Sequence, residues 1–391
     1  MFTLSVEERD RRWNNVRKAM EKRDLKCLIV WGTTGEFRDF NGNLQYLSNV
    51  ANEGYLLFPL ESEPTLYSFE GGFEATWVPD WQAGMPLYSK MMSERLRELH
   101  LESTKIGIVG LSGYYAEMGF PYITYTALMN NLPAAKFEDA TDIVEDARMI
   151  KSEAEVRCME LACEVGEKVI QTVVDTAKPG VAEWEVKTKM WETMLHNGCE
   201  FGSMILYCQG KGPLLHAGQS GWFYEMPSSK VLEPGDVILT EFDTSYWGYK
   251  AQYNQPFSVG EPTKEWQGII STARKSFESG FDALKPGITV GELDEAFLSP
   301  IKKAGYVVAN PPFHGLGLTL EMPMGTYPRQ VNYKPNTSLV IQAGMVIEFE
   351  PHPVTPDWQK SVHLGSPVLV TETGCRLLSK NWKPECPIVG V

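Results

Sequence analysis

Two stretches, EPGDVILTEFD (233–243) and QAGMVIEFEP (342–351), share one construction: a turn glycine, an apolar run and a terminal acid. Glu241 and Glu350 each stand six residues beyond their glycines, Gly235 and Gly344. An apolar run of this length leaving a glycine reads as a strand. Alternation along it sets Val237, Leu239 and Glu241 on one face, and Val346, Glu348 and Glu350 on one face of the other.

The likeness continues upstream. Each acid strand follows a loop that holds a histidine among apolar residues, PLLHAGQ with His216 and PFHGLGL with His314. Before each loop an amphipathic helix runs into a Lys-Pro-Gly turn, AKPGVAEWEV (177–186) or LKPGITVGEL (284–293), and a second helix follows. The first helix starts at a Ser152/Glu155 capping box, with Val156, Met159, Cys163, Ile170 and Val173 on one side. Its counterpart carries Trp266, Ile269, Ala273, Phe277 and Phe281. A duplication of this kind folds into two like halves about a pseudo-twofold axis, bringing two histidines and two glutamates to one cleft.

The preceding residues differ in character. CLIVWG (27–32), GYLLFPLE (54–61), PTLYSF (64–69) and KIGIVGLSG (105–113) read as buried strands, with helical stretches such as SERLRELHLES (93–103) between them. The expectation is an α/β domain over 1–148 and a second, duplicated domain over 149–391. The glycines of GIVGLSG do not spell a dinucleotide fingerprint. Ser5 and Glu8 are spaced as a capping box for a first helix, and the opening stretch is not a signal peptide.

Composition narrows the partners. A net charge of −14 disfavours nucleic acid and anionic membrane, and suits a small cationic or zwitterionic ligand. Seven scattered cysteines without a C-x-x-C pair read as thiols of a cytoplasmic protein.

RMIKSEAEV (148–156), FHGLGLTLEMP (313–323), GMVIEFEP (344–351) and VLVTETG (368–374) resemble signature blocks of the methionine aminopeptidase, prolidase and creatinase family. The resemblance implies an α/β (α+β) chain: an N-terminal creatinase/prolidase-type domain followed by a duplicated "pita-bread" catalytic domain. Metal-dependent members hold two ions with Asp, Asp, His, Glu and Glu. Those positions fall here on Glu241, Gln252, His314, Glu350 and Gly365, and the position of a second histidine falls on Glu321. With two ligands absent, the expectation is a metal-independent, creatinase-like hydrolase with no cofactor, cleaving a C–N bond of a small nitrogen compound. His216 is then the general acid/base, Glu241 and Glu350 hold the cationic group, and His314 stabilises the intermediate. Candidate substrate contacts are Trp247, Tyr249, Gln252, Glu321 and Glu53, the last from a match to the family's partner-subunit contact. His352 is read as turned to the other side of the strand from Glu350.

Two alternatives stand beside this. One is a metallopeptidase of the Xaa-Pro aminopeptidase or prolidase kind, or a lyase, with a single relocated ion on Asp243, His314, Glu350 and His363. The other is a non-catalytic binding protein. The resemblance also implies a homodimer in which one N-terminal domain closes the partner's site.

Overall fold

The computed structural model describes residues 3–33, 42–50, 53–68, 76–83, 87–113, 119–199, 204–209, 230–327 and 334–391. They form two compact units, Met1–Met149 and Ile150–Val391.

The first unit contains helices α1 (Val6–Lys22), α2 (Gly42–Ser48), α3 (Tyr88–Glu98), α4 (Tyr122–Asn131) and α5 (Thr141–Met149). Its strands are β1 (Cys27–Gly32), β2 (Gly54–Pro59), β3 (Thr65–Ser68), β4 (Asp80–Ala83), β5 (Lys105–Val109) and β6 (Lys136–Asp139). They make one sheet in the order β4-β3-β2-β1-β5-β6. β1 lies antiparallel to β2 and parallel to β5, and every β2 residue is buried, as continuous apolar runs require. Cys27, Ile29, Leu57, Met92, Ile106 and Ile108 meet in its core. The Ser5 hydroxyl caps α1 by accepting from Glu8 N. The reciprocal half of that box is missing, because Glu8 is drawn along the helix to the guanidiniums of Arg11 and Arg12.

The second unit begins with α6 (Glu153–Thr176) and α7 (Glu183–His196), followed by β7 (Met204–Gln209), β8 (Val237–Tyr246), β9 (Tyr249–Asn254) and β10 (Phe257–Val259). The pattern then repeats with α8 (Lys264–Ala283), α9 (Val290–Lys303), β11 (Val307–Val308), β12 (Phe313–Leu316), β13 (Leu320–Met324), β14 (Val346–Phe349), β15 (Pro353–Val354), β16 (Ser366–Val370), β17 (Cys375–Leu377) and β18 (Ile388–Val389). One sheet runs β18-β10-β8-β7 with β9 also on β8, and the other runs β13-β12-β14-β16-β17. The duplicated helix-pair-and-sheet arrangement expected from the sequence is present.

At α6 both halves of the capping box form: Ser152 Oγ accepts from Glu155 N, and Glu155 Oε2 accepts from Ser152 N at 2.8 Å. The buried stripe of α6 is rotated from the expected one. Cys158, Ala162, Gly166 and Val169 join Met159, Cys163 and Val173, while Val156 and Ile170 are half-buried. The cause is Tyr253 on β9, whose ring lies where a Cβ at Gly166 would come within 2.0 Å. In the repeat, a Cβ at Gly280 of α8 would meet the Phe297 ring at 2.2 Å.

Alternation sorts the strands' two faces. Phe242 stacks with Tyr253 at 5.5 Å, and the Thr244 hydroxyl bonds Ala162 O of α6. Phe349 packs edge-on against Phe277 at 5.4 Å and Phe297 at 4.7 Å, and Phe313 lies 5.6 Å from Phe297. With Phe242, Phe313 and Phe349 given to the helices, Glu241, Asp243, His314, Glu348 and Glu350 face the other way.

Candidate active site

An antiparallel bridge between Asn254 and Gly365 joins the two sheets, with Gly365 N donating to Asn254 O at 2.7 Å. The polar side chains collect around this junction. Register sets Asp243 opposite Gln252 and Glu241 opposite Asn254 on β8 and β9, and His314 opposite Glu348 on β12 and β14.

The His363 ring stands between two acids: Nδ1 is 3.5 Å from Glu241 Oε2, and Nε2 is 3.4 Å from Glu350 Oε2. His314 Nε2 is 3.7 Å from Glu350 Oε1, and its Nδ1 is 2.9 Å from Gly315 O. A carbonyl can only accept, so Nδ1 donates to it and Nε2 is the ring nitrogen turned to the acid. Gln252 donates Nε2–H to Glu350 Oε2 at 3.2 Å.

All of these groups are buried. Desolvation raises Glu241 well above the usual carboxylate range; His363 opposes the rise, and Glu350 and Asp243 add to it. Burial likewise raises Glu350, against the pull of His314 and Gln252. It raises Glu348 well above the usual carboxylate range too, reinforced by Glu350, Asp243 and Glu241. His363 is lowered by burial, in opposition to Glu241.

Among the expected residues, Glu241, Asp243, Gln252, His314, Glu350 and His363 therefore gather at one place. Others are engaged elsewhere. Tyr249 is 1% exposed and its hydroxyl donates to Glu155 Oε1 at 2.7 Å, so it ties β9 to the head of α6 rather than facing a substrate. The Glu321 carboxylate is ion-paired with the buried ammonium of Lys151. Trp247 occupies the β8–β9 turn with φ of 52° and is half-buried. Glu53 is exposed in the first unit. His216 lies outside the described residues.

The sequence reading missed two members. His352 stacks on His363 with centroids 4.2 Å apart and planes within 10°, and its Nε2 lies 3.0 Å from Ser361 Oγ. It stands two residues past Glu350, which is the same parity. Glu348 was placed on the right face without being given any part in the site.

This mixed carboxylate and imidazole set, at the junction of two like halves, is the donor chemistry of a metallohydrolase. Residues 157–372 match Metallopeptidase family M24 and residues 12–150 match the creatinase/prolidase N-terminal domain. The chain belongs to metallopeptidase family M24, a family of hydrolases, and has its pita-bread fold behind a creatinase-type N-terminal domain. It is 27% identical over 351 residues to an Xaa-Pro dipeptidase of Pyrococcus horikoshii, covering 87% of this chain and 91% of that protein. It is 26% identical over 343 residues to an Xaa-Pro dipeptidase of Pyrococcus furiosus, covering 86% and 91%. In structure it resembles an Xaa-Pro dipeptidase from Bacillus anthracis, with a TM-score of 0.78 and 21% identity over 97% of this chain and 100% of that one.

These findings overturn the expectation of a metal-independent enzyme without a cofactor. That expectation counted carboxylates only at the family's ligand positions. The residues present do not suit two ions, since Gln252 is neutral and Gly365 has no side chain. They do suit one. Both Glu348 oxygens and His363 Nε2 are buried without a well-formed hydrogen bond among the described residues. Among the described residues no three His, Cys, Asp or Glu side chains converge closely enough to hold an ion, so ligation requires side-chain rearrangement. Nor, among them, is any helix long and apolar enough to cross a membrane.

Proposed function

We propose that the chain hydrolyses the amide C–N bond of a dipeptide whose second residue is proline. The observation that carries this reading is the alignment with an Xaa-Pro dipeptidase over 87% of the chain and 91% of that relative. His314 and Glu350, at two of the family's ligand positions, are the residues that would hold a divalent ion. When bound, such an ion supplies Lewis acidity at the scissile carbonyl.

The remaining chemistry falls to the protein. Proline's nitrogen carries no hydrogen in the peptide, so the departing amine must receive one. Glu241 and His363, 3.5 Å apart, form the acid–base pair: Glu241 takes the proton from the attacking water and the imidazole relays it to the leaving nitrogen. Gln252 holds Glu350 in orientation. The acidic surroundings favour the substrate's free α-ammonium. The same reading includes a homodimer, for which light scattering should give twice the 44.0 kDa chain mass.

The test is release of proline. Chelator-treated protein reloaded with Mn²⁺, Co²⁺ or Zn²⁺ is offered Leu-Pro, Met-Pro, Leu-Ala and creatine. Ion-dependent proline release, with Leu-Ala a poor substrate, supports the reading. Inertness toward both proline dipeptides with every ion overturns it.

A further inference from the structure

Position 365 has no side chain, and the surroundings leave no room for one. A Cβ there would lie 1.9 Å from Phe349 O, 2.9 Å from Glu348 Oε1 and 3.0 Å from Asn254 Nδ2. Part of that space is thus taken by a carboxyl from the neighbouring strand. Glu348 is 0% exposed, and neither of its oxygens makes a well-formed hydrogen bond among the described residues, the Asn254 amide being the polar group beside it. A carboxyl buried with so little to satisfy it is disfavoured as an anion unless a proton or a cation sits on it.

The register shows which cation-binding groups share its face. His314 is the direct cross-strand neighbour of Glu348, and Glu350 follows two residues along the same chain. One imidazole and two carboxylates therefore project from one side of the β12–β14 pair.

We propose that Glu348 is a metal ligand, and that the chain binds one divalent cation, not two, through His314, Glu348 and Glu350. This rests on the family reading that an ion is bound, and goes beyond it in which residue ligates and how many ions enter. Glu348 does from β14 what a side chain at 365 cannot do from the adjoining segment. Three protein ligands leave a position open for water or substrate. A second ion is not provided for, because Asp243 has Lys250 Nζ at 3.5 Å as its counter-charge.

The experiment reads binding, not turnover. The full chain, stripped with chelator, is titrated with Zn²⁺ by calorimetry and with Co²⁺ by visible absorption. One ion per chain is expected. Glu348→Gln should weaken binding by about tenfold to a hundredfold or more, whereas Asp243→Asn, which removes a neighbouring charge but no ligand, should weaken it less than E348Q does. Two ions per chain, no binding by the unmodified chain, or unchanged affinity in E348Q overturns the proposal. If E348Q does not fold, anomalous scattering from Zn²⁺-loaded crystals decides. A single peak about 2.0–2.2 Å from a Glu348 oxygen supports the assignment, and a peak out of reach of both oxygens refutes it. Two ions per chain or unchanged affinity in E348Q overturns this assignment and leaves the Xaa-Pro reading standing, no binding by the unmodified chain counts against both, and absence of proline release leaves this one standing.

Discussion

Lys151 and Glu321 are paired inside the protein, with side chains only 1% and 6% exposed. Glu321 stands where metal-dependent relatives would be expected to carry a second histidine, so a structural ion pair takes the place of a catalytic imidazole. Glu321→Gln leaves a buried ammonium without its counter-charge and should destabilise the chain by about 3–5 kcal/mol. Replacing both partners with Met and Leu should recover most of that loss. Denaturant unfolding of the single and double variants measures the difference.

Glu241 is expected to show a conflict between stability and activity. Its burial beside Glu350 and Asp243 opposes ionisation. Glu241→Gln removes that charge, so chelator-treated E241Q should unfold at a higher temperature than the parent above neutral pH. It should also lose about 10²–10⁴-fold in kcat as the proton acceptor disappears. A variant that is both less stable and fully active would contradict the assignment.

His216, although outside the described residues, remains a candidate acid–base group on sequence grounds. His216→Ala should lower kcat by about 10²-fold or more if the residue moves a proton. An effect confined to KM would make it a binding residue.

The Glu8 cluster carries a pH dependence with a definite sign. Burial raises the Glu8 carboxyl, but the Arg11 and Arg12 guanidiniums outweigh it and hold the group below its ordinary range. The folded chain therefore binds this proton more weakly than the unfolded chain. The resulting stability is complete above the ordinary carboxylate pKa of about 4.3, and is lost as pH falls through the depressed value. Glu8→Gln should cost about 2–3 kcal/mol at neutral pH, and this deficit should shrink steadily below pH ~4.5. Chemical denaturation of the two proteins across that range checks it.

Gly166 and Gly280 predict a packing effect in each half. Gly166→Ala sets a methyl group within 2.0 Å of Tyr253, and Gly280→Ala sets one within 2.2 Å of Phe297. Each should destabilise by about 1–3 kcal/mol through overpacking, despite alanine's better helix propensity. Thermal unfolding is the measurement.

Much of this was legible because spacing survives where identity does not. Six residues from glycine to acid, in both halves, place Glu241 and Glu350 at one site on spacing alone. The β1 strand, CLIVWG, is readable to the residue because a strand buried everywhere but at Trp31 is apolar throughout. The α6 stripe was misjudged because hydropathy ranks Ile170 above Gly166, whereas the helix presents whatever lets Tyr253 approach. His352 was misassigned by an error of parity, and β14 in any case ends at Phe349. The mistaken inference of a metal-free enzyme had a different root. Aligned positions record which residue occupies a place in the chain, and do not register a carboxyl that reaches the same space from the next strand.

The two glycine notches have a consequence for how the halves tolerate change. Gly166 admits a ring from β9, while Gly280 admits one from α9, so the halves share the device without sharing its occupant. Each socket is filled from within its own half, and a plug altered on one side of the cleft leaves the wall on the other side seated.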